Sequence, residues 1–191
     1  SFDQVATATG RISSMEPNLQ NIPVRTPLGR EIRAAFVARP GWLLADADYS
    51  QIELRVLAHM SEDEVMCEAF RLGQDIHART AAEVYGVPLD QVTADMRSAA
   101  KAVNFGIVYG ISDFGLAKNI GVSRAEAAGF IERYLGRYPK VKRFMDGCVT
   151  QGSTEGYVST LMGRRRYLPE LHDRSYNIRQ FGERAAMNSP I

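Results

Sequence analysis

The chain changes character near residue 50, and this change limits its fold more than any other feature of the sequence. The first forty residues are rich in proline, glycine, asparagine and threonine, which is typical of loops and short strands. A short apolar run at residues 42–45 then leads into Asp46 and Asp48. Such a run, ending in acids, predicts a buried strand with carboxylates at its carboxyl end.

Helix signals dominate after residue 50. Serine and glutamate recur at the spacing of a capping box, in Ser50 with Glu53, Ser61 with Glu64, and Ser123 with Glu126. Asp75 is expected to cap a helix that runs to Tyr85 and is closed by Gly86. Thr93 is expected to cap another helix, which runs to about Phe105 and is closed by Gly106.

The last third of the chain predicts two more helices around a hairpin. One helix fits residues 141–151, after Pro139, and a last one begins near Ser175 and continues to the chain's end. Between them, residues 156–161 and 165–168 have the pattern of a β-hairpin. The sequence therefore predicts an α+β fold, a strand-bearing platform followed by a largely helical lobe.

Composition excludes several classes of protein. Of the 191 residues, 45% are hydrophobic and 24% are charged, as in ordinary globular proteins. No apolar stretch approaches the roughly 20 residues that cross a bilayer, and the first residues do not resemble a signal peptide. The two cysteines, Cys67 and Cys148, are too far apart for a CxxC metal site. We therefore expect free thiols in a reducing compartment, with the cytoplasm as the location and no membrane partner.

The net charge is +1, so a global basic field is no argument for a nucleic-acid partner. Nineteen of the 23 basic residues are arginine, which binds phosphate in a bidentate way. The codon usage of a GC-rich genome explains the same bias, and from composition alone it is the favoured explanation.

The first group of residues that could carry chemistry surrounds Asp48. A predicted strand delivers Asp48 to its end and a helix follows at once, an arrangement that often presents active groups. A carboxylate in such a place can hold Mg²⁺. The alternative is that Asp48 starts a turn and Glu53 completes a helix cap. From these residues alone that alternative is favoured for Glu53 and stays open for Asp48.

The second group lies on the predicted helix after Thr93. Arg97, Lys101 and Phe105 follow each other at steps of four, so they share one helix face over about 12 Å. The two cations repel each other, and neither has an acid three or four residues away. An external anion would relieve that repulsion, which suggests binding of a triphosphate. Tyr109 is placed at the helix end by Gly106 and Gly110. The alternative is a solvated basic stripe with two core aromatics.

The remaining candidates are polar loops and arginine clusters. Arg11, Asn18 and Asn21 have side chains that reach minor-groove acceptors, although a turn-rich loop explains each of them. Arginines recur late in the chain as Arg164, Arg165, Arg166, Arg179 and Arg184. A phosphate-backbone contact and a solvated strand edge both fit that cluster. The histidines lack the HxxxH and HxH spacings of zinc sites, and no P-loop or GxSxG motif occurs.

Taken together, these segments resemble the polymerase domain of family A DNA polymerases, the bacterial DNA polymerase I group. The match begins at residues 7–11 and 16–23. Residues 48–55 resemble motif A of that family, Asp48-Tyr49-Ser50-Gln51-Ile52-Glu53-Leu54-Arg55. A second segment resembles motif B, Arg97-x-x-x-Lys101-x-x-x-Phe105-Gly106-x-x-Tyr109-Gly110.

The resemblance implies template-directed DNA synthesis from deoxynucleoside triphosphates, with Mg²⁺ as cofactor and primer–template DNA as partner. Asp48 would be a ligand of both catalytic metal ions and Lys101 a catalytic residue. Nucleotide-binding roles would fall to His77, Arg97, Lys101, Phe105, Glu53, Gln51 and Tyr109. Glu53 would exclude a ribose 2′-hydroxyl, and Tyr109 would stack near the templating base. The primer–template would be lined by Arg11, Asn18, Asn21, Arg184 and Asn188.

The same resemblance implies a division into domains. Residues 1–53 would be a partial palm with motif A, and residues 54–170 the helical fingers with motif B. Residues 171–191 would begin the helix that returns to the palm. We expect a bacterial, nucleoid-associated cytoplasmic protein.

One departure from the family bears on activity. The chain stops at Ile191, before the family's His-Asp-Glu strand with its second metal-binding carboxylate. The thumb and nuclease regions are also lacking, and Asp46 is not expected to substitute, because a two-metal site takes ligands from separate elements. We therefore expect a fragment that needs the remainder of the polymerase domain and is inactive alone. Two other interpretations stay open, a non-catalytic nucleic-acid-binding module on this scaffold and an unrelated helical domain.

Overall fold

The computed structural model describes residues 1–23 and 26–191 and consists of two units, Ser1–Ser50 and Gln51–Ile191. The described residues form nine α-helices and two small antiparallel sheets. This confirms the predicted α+β class. Over the same residues, every helix is too short or too polar to cross a membrane.

The first unit has little regular structure. Strands β1 (Phe2–Asp3) and β2 (Ser13–Ser14) pair antiparallel, with Phe2 opposite Ser14. A 3-10 turn follows at Leu19–Asn21, and helix α1 spans Pro27–Arg33. The composition of the first forty residues predicts loops and short strands, so α1 is not among the predicted helices. Proline at the first helical position is in fact favourable, since its missing N–H has no partner there.

The predicted buried strand at residues 42–45 is wrong. These residues adopt no strand, and all of residues 41–50 are exposed, with Leu43 at 94%. A strand needs a neighbour to satisfy its backbone N–H and C=O groups. Among the described residues, the only strands of this unit are β1 and β2, and they pair with each other. Asp48 therefore lies in an irregular, exposed segment and not at a strand end.

The second unit is helical. Its helices are α2 (Ile52–Ser61), α3 (Glu64–Arg71), α4 (Ile76–Tyr85), α5 (Ala94–Val108), α6 (Asp113–Ile120), α7 (Arg124–Arg137), α8 (Pro139–Glu155) and α9 (Tyr176–Asn188). Strands β3 (Tyr157–Ser159) and β4 (Arg165–Tyr167) form the predicted hairpin between α8 and α9. Short 3-10 turns occur at Leu89–Gln91 and Pro169–His172.

Two hydrophobic cores hold this unit together. The larger core takes residues from α2 to α8, and its fully buried members include Leu54, Leu57, Met66, Val103 and Tyr134. The smaller core joins α8, the β3–β4 hairpin and α9 through Cys148, Val158, Leu168, Leu171 and Ala186. Because the larger core is closely packed, it holds α4 and α5 in place, together with the side chains that face each other between these helices.

Several predicted helix ends are confirmed. Ser123 and Glu126 form the capping box of α7, with both reciprocal hydrogen bonds present. Asp75 caps α4, which ends at Tyr85 before the left-handed Gly86. Thr93 caps α5 through the Met96 N–H.

Two predicted caps are wrong for local reasons. Helix α2 begins at Ile52, because Gln51 adopts the left-handed conformation (φ 56°) and separates Ser50 from the first turn. Ser61 is instead the last residue of α2, and Asp63 caps α3 by accepting the Met66 N–H.

Helix α5 continues past the glycine that was expected to end it. Gly106 is buried, and a Cβ there would lie 2.7 Å from Cγ2 of Ile111. Gly106 therefore serves close packing and does not stop the helix. The chain turns at Gly110, which has a φ of +64°. The late helices also differ in length, since α8 extends to Glu155 and α9 ends at Asn188 before the chain does.

Candidate functional site

The contact between α4 and α5 brings together four residues that the sequence singled out. Arg97, Lys101 and Phe105 lie on one face of α5, with Arg97 and Lys101 exposed and Phe105 half-buried. His77, in the first turn of α4, is 3% exposed and lies against Phe105, with ring centroids 5.8 Å apart. The predicted α5 face thus exists, and it is completed by a histidine from a second helix.

Arg97 has an acidic partner that the sequence did not reveal. Its Nε donates to Oδ2 of Asp75 at 2.6 Å, while Oδ1 of Asp75 caps α4 by accepting the His77 and Ala78 N–H groups. The expectation that neither cation has a counter-charge is therefore wrong for Arg97. Helix periodicity reveals only acids three or four residues away on the same helix, whereas Asp75 is 22 residues away and reaches α5 from the start of α4.

The Asp75 carboxylate stays ionised in this arrangement. Burial tends to raise the pKa of Asp75, but the hydrogen bonds from Arg97 and from two backbone N–H groups outweigh it and leave the pKa below its ordinary value. The negative charge cancels part of the positive field of the α5 face. Lys101 makes no ion pair or hydrogen bond within the described part of the chain, so it is the cation of this face that is ready for an external anion.

His77 is held in a buried polar contact. The side-chain amide nitrogen of Asn104 lies 3.1 Å from Nδ1 of His77, and Oδ1 of Asn104 accepts the Thr80 hydroxyl at 3.2 Å. Burial lowers the pKa of His77, and the nearby charges of Arg97 and Lys101 lower it further, against the opposing effect of Asp75. At neutral pH the imidazole is therefore uncharged and can act as a hydrogen-bond donor rather than as a third cation.

Glu53 and Tyr109 are joined directly. The Tyr109 hydroxyl lies 3.0 Å from each carboxylate oxygen of Glu53, so it donates to this carboxylate and links the end of α5 to the first turn of α2. These residues are 56 positions apart, and the sequence assigned them to different groups. Gln51 begins this turn from its left-handed conformation.

A cavity of about 440 Å³ is lined by Phe105 and Tyr109. Its lining also includes Arg184 of α9 and Gly110. A Cβ at Gly110 would lie 2.9 Å from Cγ of Arg184, so α9 approaches the end of α5 closely. Arg184 is thereby brought beside Tyr109. The second predicted residue of α9, Asn188, is half-buried at the helix end, where its carbonyl accepts the Ile191 N–H.

The candidate residues of the first unit are all exposed. Asn18 caps the 3-10 turn by accepting the Gln20 N–H, Asn21 ends that turn, and Arg11 lies on the loop before β2. Asp48 lies in the irregular segment at residues 41–50.

Three of the late arginines have local partners. The Arg165 guanidinium stacks 4.4 Å from the centre of the Tyr157 ring, and Arg166 pairs with Glu170 at 3.2 Å. Arg179 donates to the backbone carbonyl of Asp173. Most of this cluster is thus engaged in local structure.

The described residues do not by themselves form a metal site. Over residues 1–23 and 26–191, no three His, Cys, Asp or Glu side chains are grouped as metal ligands. Asp48 can contribute one hard oxygen ligand to Mg²⁺, but a stable site needs more ligands than this.

Two residues of the α4–α5 contact escaped the sequence analysis. Asp75 was interpreted only as a helix cap, although a capping aspartate uses one oxygen and leaves the other for a partner. Asn104 was not considered, although it directly precedes Phe105 in the motif. An asparagine between apolar residues of a helix is a signal, since burying its amide is costly without partners.

Comparisons with known proteins agree along the whole chain. Residues 1–191 match the family model described as DNA polymerase family A. The chain is 59% identical over 191 residues to DNA polymerase I of Geobacillus stearothermophilus, covering all of this chain and 22% of that protein. It is 53% identical over 190 residues to the thermostable DNA polymerase I of Thermus aquaticus, covering 23% of it.

A solved structure agrees as well. The polymerase domain of Pol1 from M. smegmatis, solved in complex with DNA primer-template and dNTP, superposes with a TM-score of 0.89 at 47% identity. The match covers 99% of this chain and 34% of that one. The chain thus spans less than a quarter of the length of these curated relatives.

Proposed function

The chain belongs to DNA polymerase family A, and we propose that it is part of an enzyme for template-directed DNA synthesis. In this reaction the 3′-hydroxyl of a primer loses its proton and attacks the α-phosphorus of a deoxynucleoside triphosphate, and the bond from that phosphorus to the β-phosphate breaks, so that pyrophosphate leaves. Family membership excludes the interpretation as an unrelated helical domain. We also propose that the protein acts on the chromosome in the bacterial cytoplasm. The partial-palm and fingers assignment, with its boundaries at residues 53 and 170, is part of the same proposal.

The observation that supports this proposal most strongly is the group of side chains between α4 and α5. Arg97, Lys101 and Phe105 span about 12 Å along α5, close to the length of a nucleoside triphosphate. Among the described residues, Lys101 offers an unpaired cation on this face, and His77 adds a neutral donor beside Phe105. Phosphoryl transfer depends on positioning and on neutralising charge, with little covalent help from the protein. Lys101 would hold the triphosphate, and Phe105 would pack against the sugar and base.

The other candidate residues extend this site. Glu53, fixed by the Tyr109 hydroxyl, would exclude a ribose 2′-hydroxyl, and Gln51 would contact the nucleotide from the start of the same helix. Tyr109 would stack near the templating base at the cavity that Arg184 also lines. The primer–template would be contacted by Arg11, Asn18, Asn21, Arg184 and Asn188.

Among the candidate residues, only Asp48 is proposed as a ligand of Mg²⁺. Asp48 would hold the metal ions that neutralise the transferred phosphoryl group in this class of reaction. The described residues contain no complete set of ligands. We therefore propose that the 191-residue chain binds nucleotide but does not extend a primer alone.

Nucleotide binding is tested on the chain itself by titration with a deoxynucleoside triphosphate, followed by calorimetry. Lys101→Ala should weaken binding roughly tenfold or more, since a hydrogen bond to a charged group is lost. Lys118→Ala, which removes an exposed lysine on α6, is the matched control and should change affinity little. Equal losses in the two variants would mean that only net charge is sensed and would contradict the proposed site.

Catalysis is tested by replacing the matched segment of the Geobacillus stearothermophilus DNA polymerase I with residues 1–191. The chimera should extend a primer, and Asp48→Asn in it should abolish extension while leaving DNA binding largely intact. A folded chimera that binds DNA without extending a primer would favour a non-catalytic nucleic-acid-binding module.

A further inference from the structure

We propose that Asn104 is a positioning residue, whose side-chain amide keeps the proton of His77 on Nε2 so that the imidazole offers one N–H donor to a bound triphosphate. The ligand in this statement rests on the proposed function. The control of His77 by Asn104 rests on the α4–α5 geometry alone.

The contact has one chemically allowed polarity. Nδ2 of Asn104, an NH₂ group with hydrogens to donate and no acceptor capacity, lies 3.1 Å from Nδ1 of His77. Nδ1 must therefore accept, which leaves the ring proton on Nε2. Asn104 is 0% exposed and His77 is 3% exposed, so water does not compete for this hydrogen bond.

Thr80 contacts the other end of the amide. Its hydroxyl, 1% exposed, donates to Oδ1 of Asn104 at 3.2 Å, while Nδ2 faces His77. Thr80 follows His77 by three positions on α4, so both side chains face α5. The result is a buried chain of hydrogen bonds from Thr80 through Asn104 to His77.

Other residues of α5 lie close to the His77 ring. Asn104 lies one turn from Lys101 and next to Phe105, whose ring contacts His77. The charged groups that act on His77 are Asp75 on its own helix and Arg97 and Lys101 on α5. A protonated His77 would have to donate from Nδ1 as well, towards the Asn104 NH₂ group. The orientation of the Asn104 amide thus disfavours the protonated imidazole of His77, and burial disfavours it as well.

The test uses nitrogen NMR of the histidine rings in the 191-residue chain, which distinguishes a protonated from an unprotonated ring nitrogen. Wild-type His77 should show an unprotonated Nδ1. Asn104→Asp replaces the donor by an acceptor and should move the proton to Nδ1. His172 is an internal reference, because its Nε2 donates to the Ser153 carbonyl, so a backbone group and not Asn104 sets its tautomer. A proton on Nδ1 in the wild type, or an unchanged ring in Asn104→Asp, would overturn the proposal.

Thr80 supplies a conservative pair in case Asn104→Asp does not fold. Thr80→Val keeps the shape but removes the hydroxyl, so the amide can turn and both His77 tautomers should be populated. Thr80→Ser keeps a donor and should retain the wild-type signal. Identical His77 signals in the two Thr80 variants would contradict the role of the hydroxyl and, with it, the fixed amide.

Titration with tripolyphosphate tests whether the tautomer of His77 affects the binding of the anion. Asn104→Asp should bind it roughly tenfold more weakly than wild type, with Lys101 still in place. An unchanged affinity would overturn the positioning role. If the wild type does not bind tripolyphosphate, the proposed function fails instead, while a proton shift in Asn104→Asp still supports control of His77 by Asn104.

Discussion

The two units of the chain hold their candidate residues in different ways. In Gln51–Ile191, His77 and Arg97 are fixed by named partners, on helices that two cores support. In Ser1–Ser50, Asp48 belongs to an exposed segment without regular structure. Asp48 lies in the segment that resembles motif A, and Arg97 lies in the segment that resembles motif B. Motif resemblance therefore indicates candidate residues without showing which of them the local fold preorganises.

The comparison also concerns apolar residues. Leu57 of α2 is 0% exposed, whereas Leu43 of the first unit is 94% exposed. Residues 42–44 are as apolar as many core segments, yet they are exposed. Apolar sequence thus indicates burial only where a partner surface exists.

The largest expected difference between the units comes from truncating these two leucines. Leu57→Ala should destabilise the protein by about 2–5 kcal/mol, because it loses buried area and leaves a cavity. Leu43→Ala should change stability by less than about 0.5 kcal/mol. Chemical denaturation followed by circular dichroism measures both. A loss for Leu43→Ala as large as that for Leu57→Ala would break the comparison, since it would mean that Leu43 is covered in solution.

What the sequence could predict depended on the range of the interactions. The limits of α4 follow from Asp75 and Gly86, which act on their own helix, and both were right. The strand at residues 42–45 depends on a neighbouring strand, and that prediction was wrong. The capping pattern also gave a wrong helix start where the backbone conformation of one residue sets it, as at Gln51, whose φ is 56°.

The candidate site shows the same limit. The face of Arg97, Lys101 and Phe105 could be predicted because helix periodicity places them together. The partners Asp75 and Asn104 could not be found in the same way, because one acts across 22 positions and the other across 27. Pairings of this kind depend on how α4 packs on α5, which no local pattern encodes.

Two glycines with positive φ sharpen the comparison at the level of the backbone. Gly110 and Gly41 have φ values of +64° and +80°. A methyl group at Gly41 meets nothing within 4 Å, whereas at Gly110 it would lie 2.9 Å from Cγ and 3.4 Å from Cα of Arg184. Gly41→Ala should cost about 1–2 kcal/mol from backbone strain alone. Gly110→Ala should add about 1–3 kcal/mol of overpacking. Thermal unfolding of both variants measures the difference. Equal losses of stability would show that α9 can shift away from the added methyl group at no cost in free energy.

The smallest effects come from two helix caps, Asp75 of α4 and Thr26 of α1. Asp75→Asn keeps a capping side chain but loses the charge that pairs with Arg97, a pair about half exposed in its side chains. We expect a loss below about 1 kcal/mol at pH 7, in the range of exposed ion pairs. Thr26→Ala loses the hydroxyl that accepts the Gly29 N–H and should cost about 1 kcal/mol.

The pH dependence separates these two caps. The folded pKa of Asp75 lies below its ordinary value of 3.8, so its contribution is complete above that value and is lost as the pH falls through the lower folded pKa. Denaturation between pH 7 and pH 3 should therefore show a constant gap between wild type and Asp75→Asn that narrows only in acid. The gap for Thr26→Ala should stay constant, because a hydroxyl does not titrate in this range. A gap for Asp75→Asn that persists in acid would mean that the loss does not come from the carboxylate charge, and that the pairing of Asp75 with Arg97 does not distinguish the second unit.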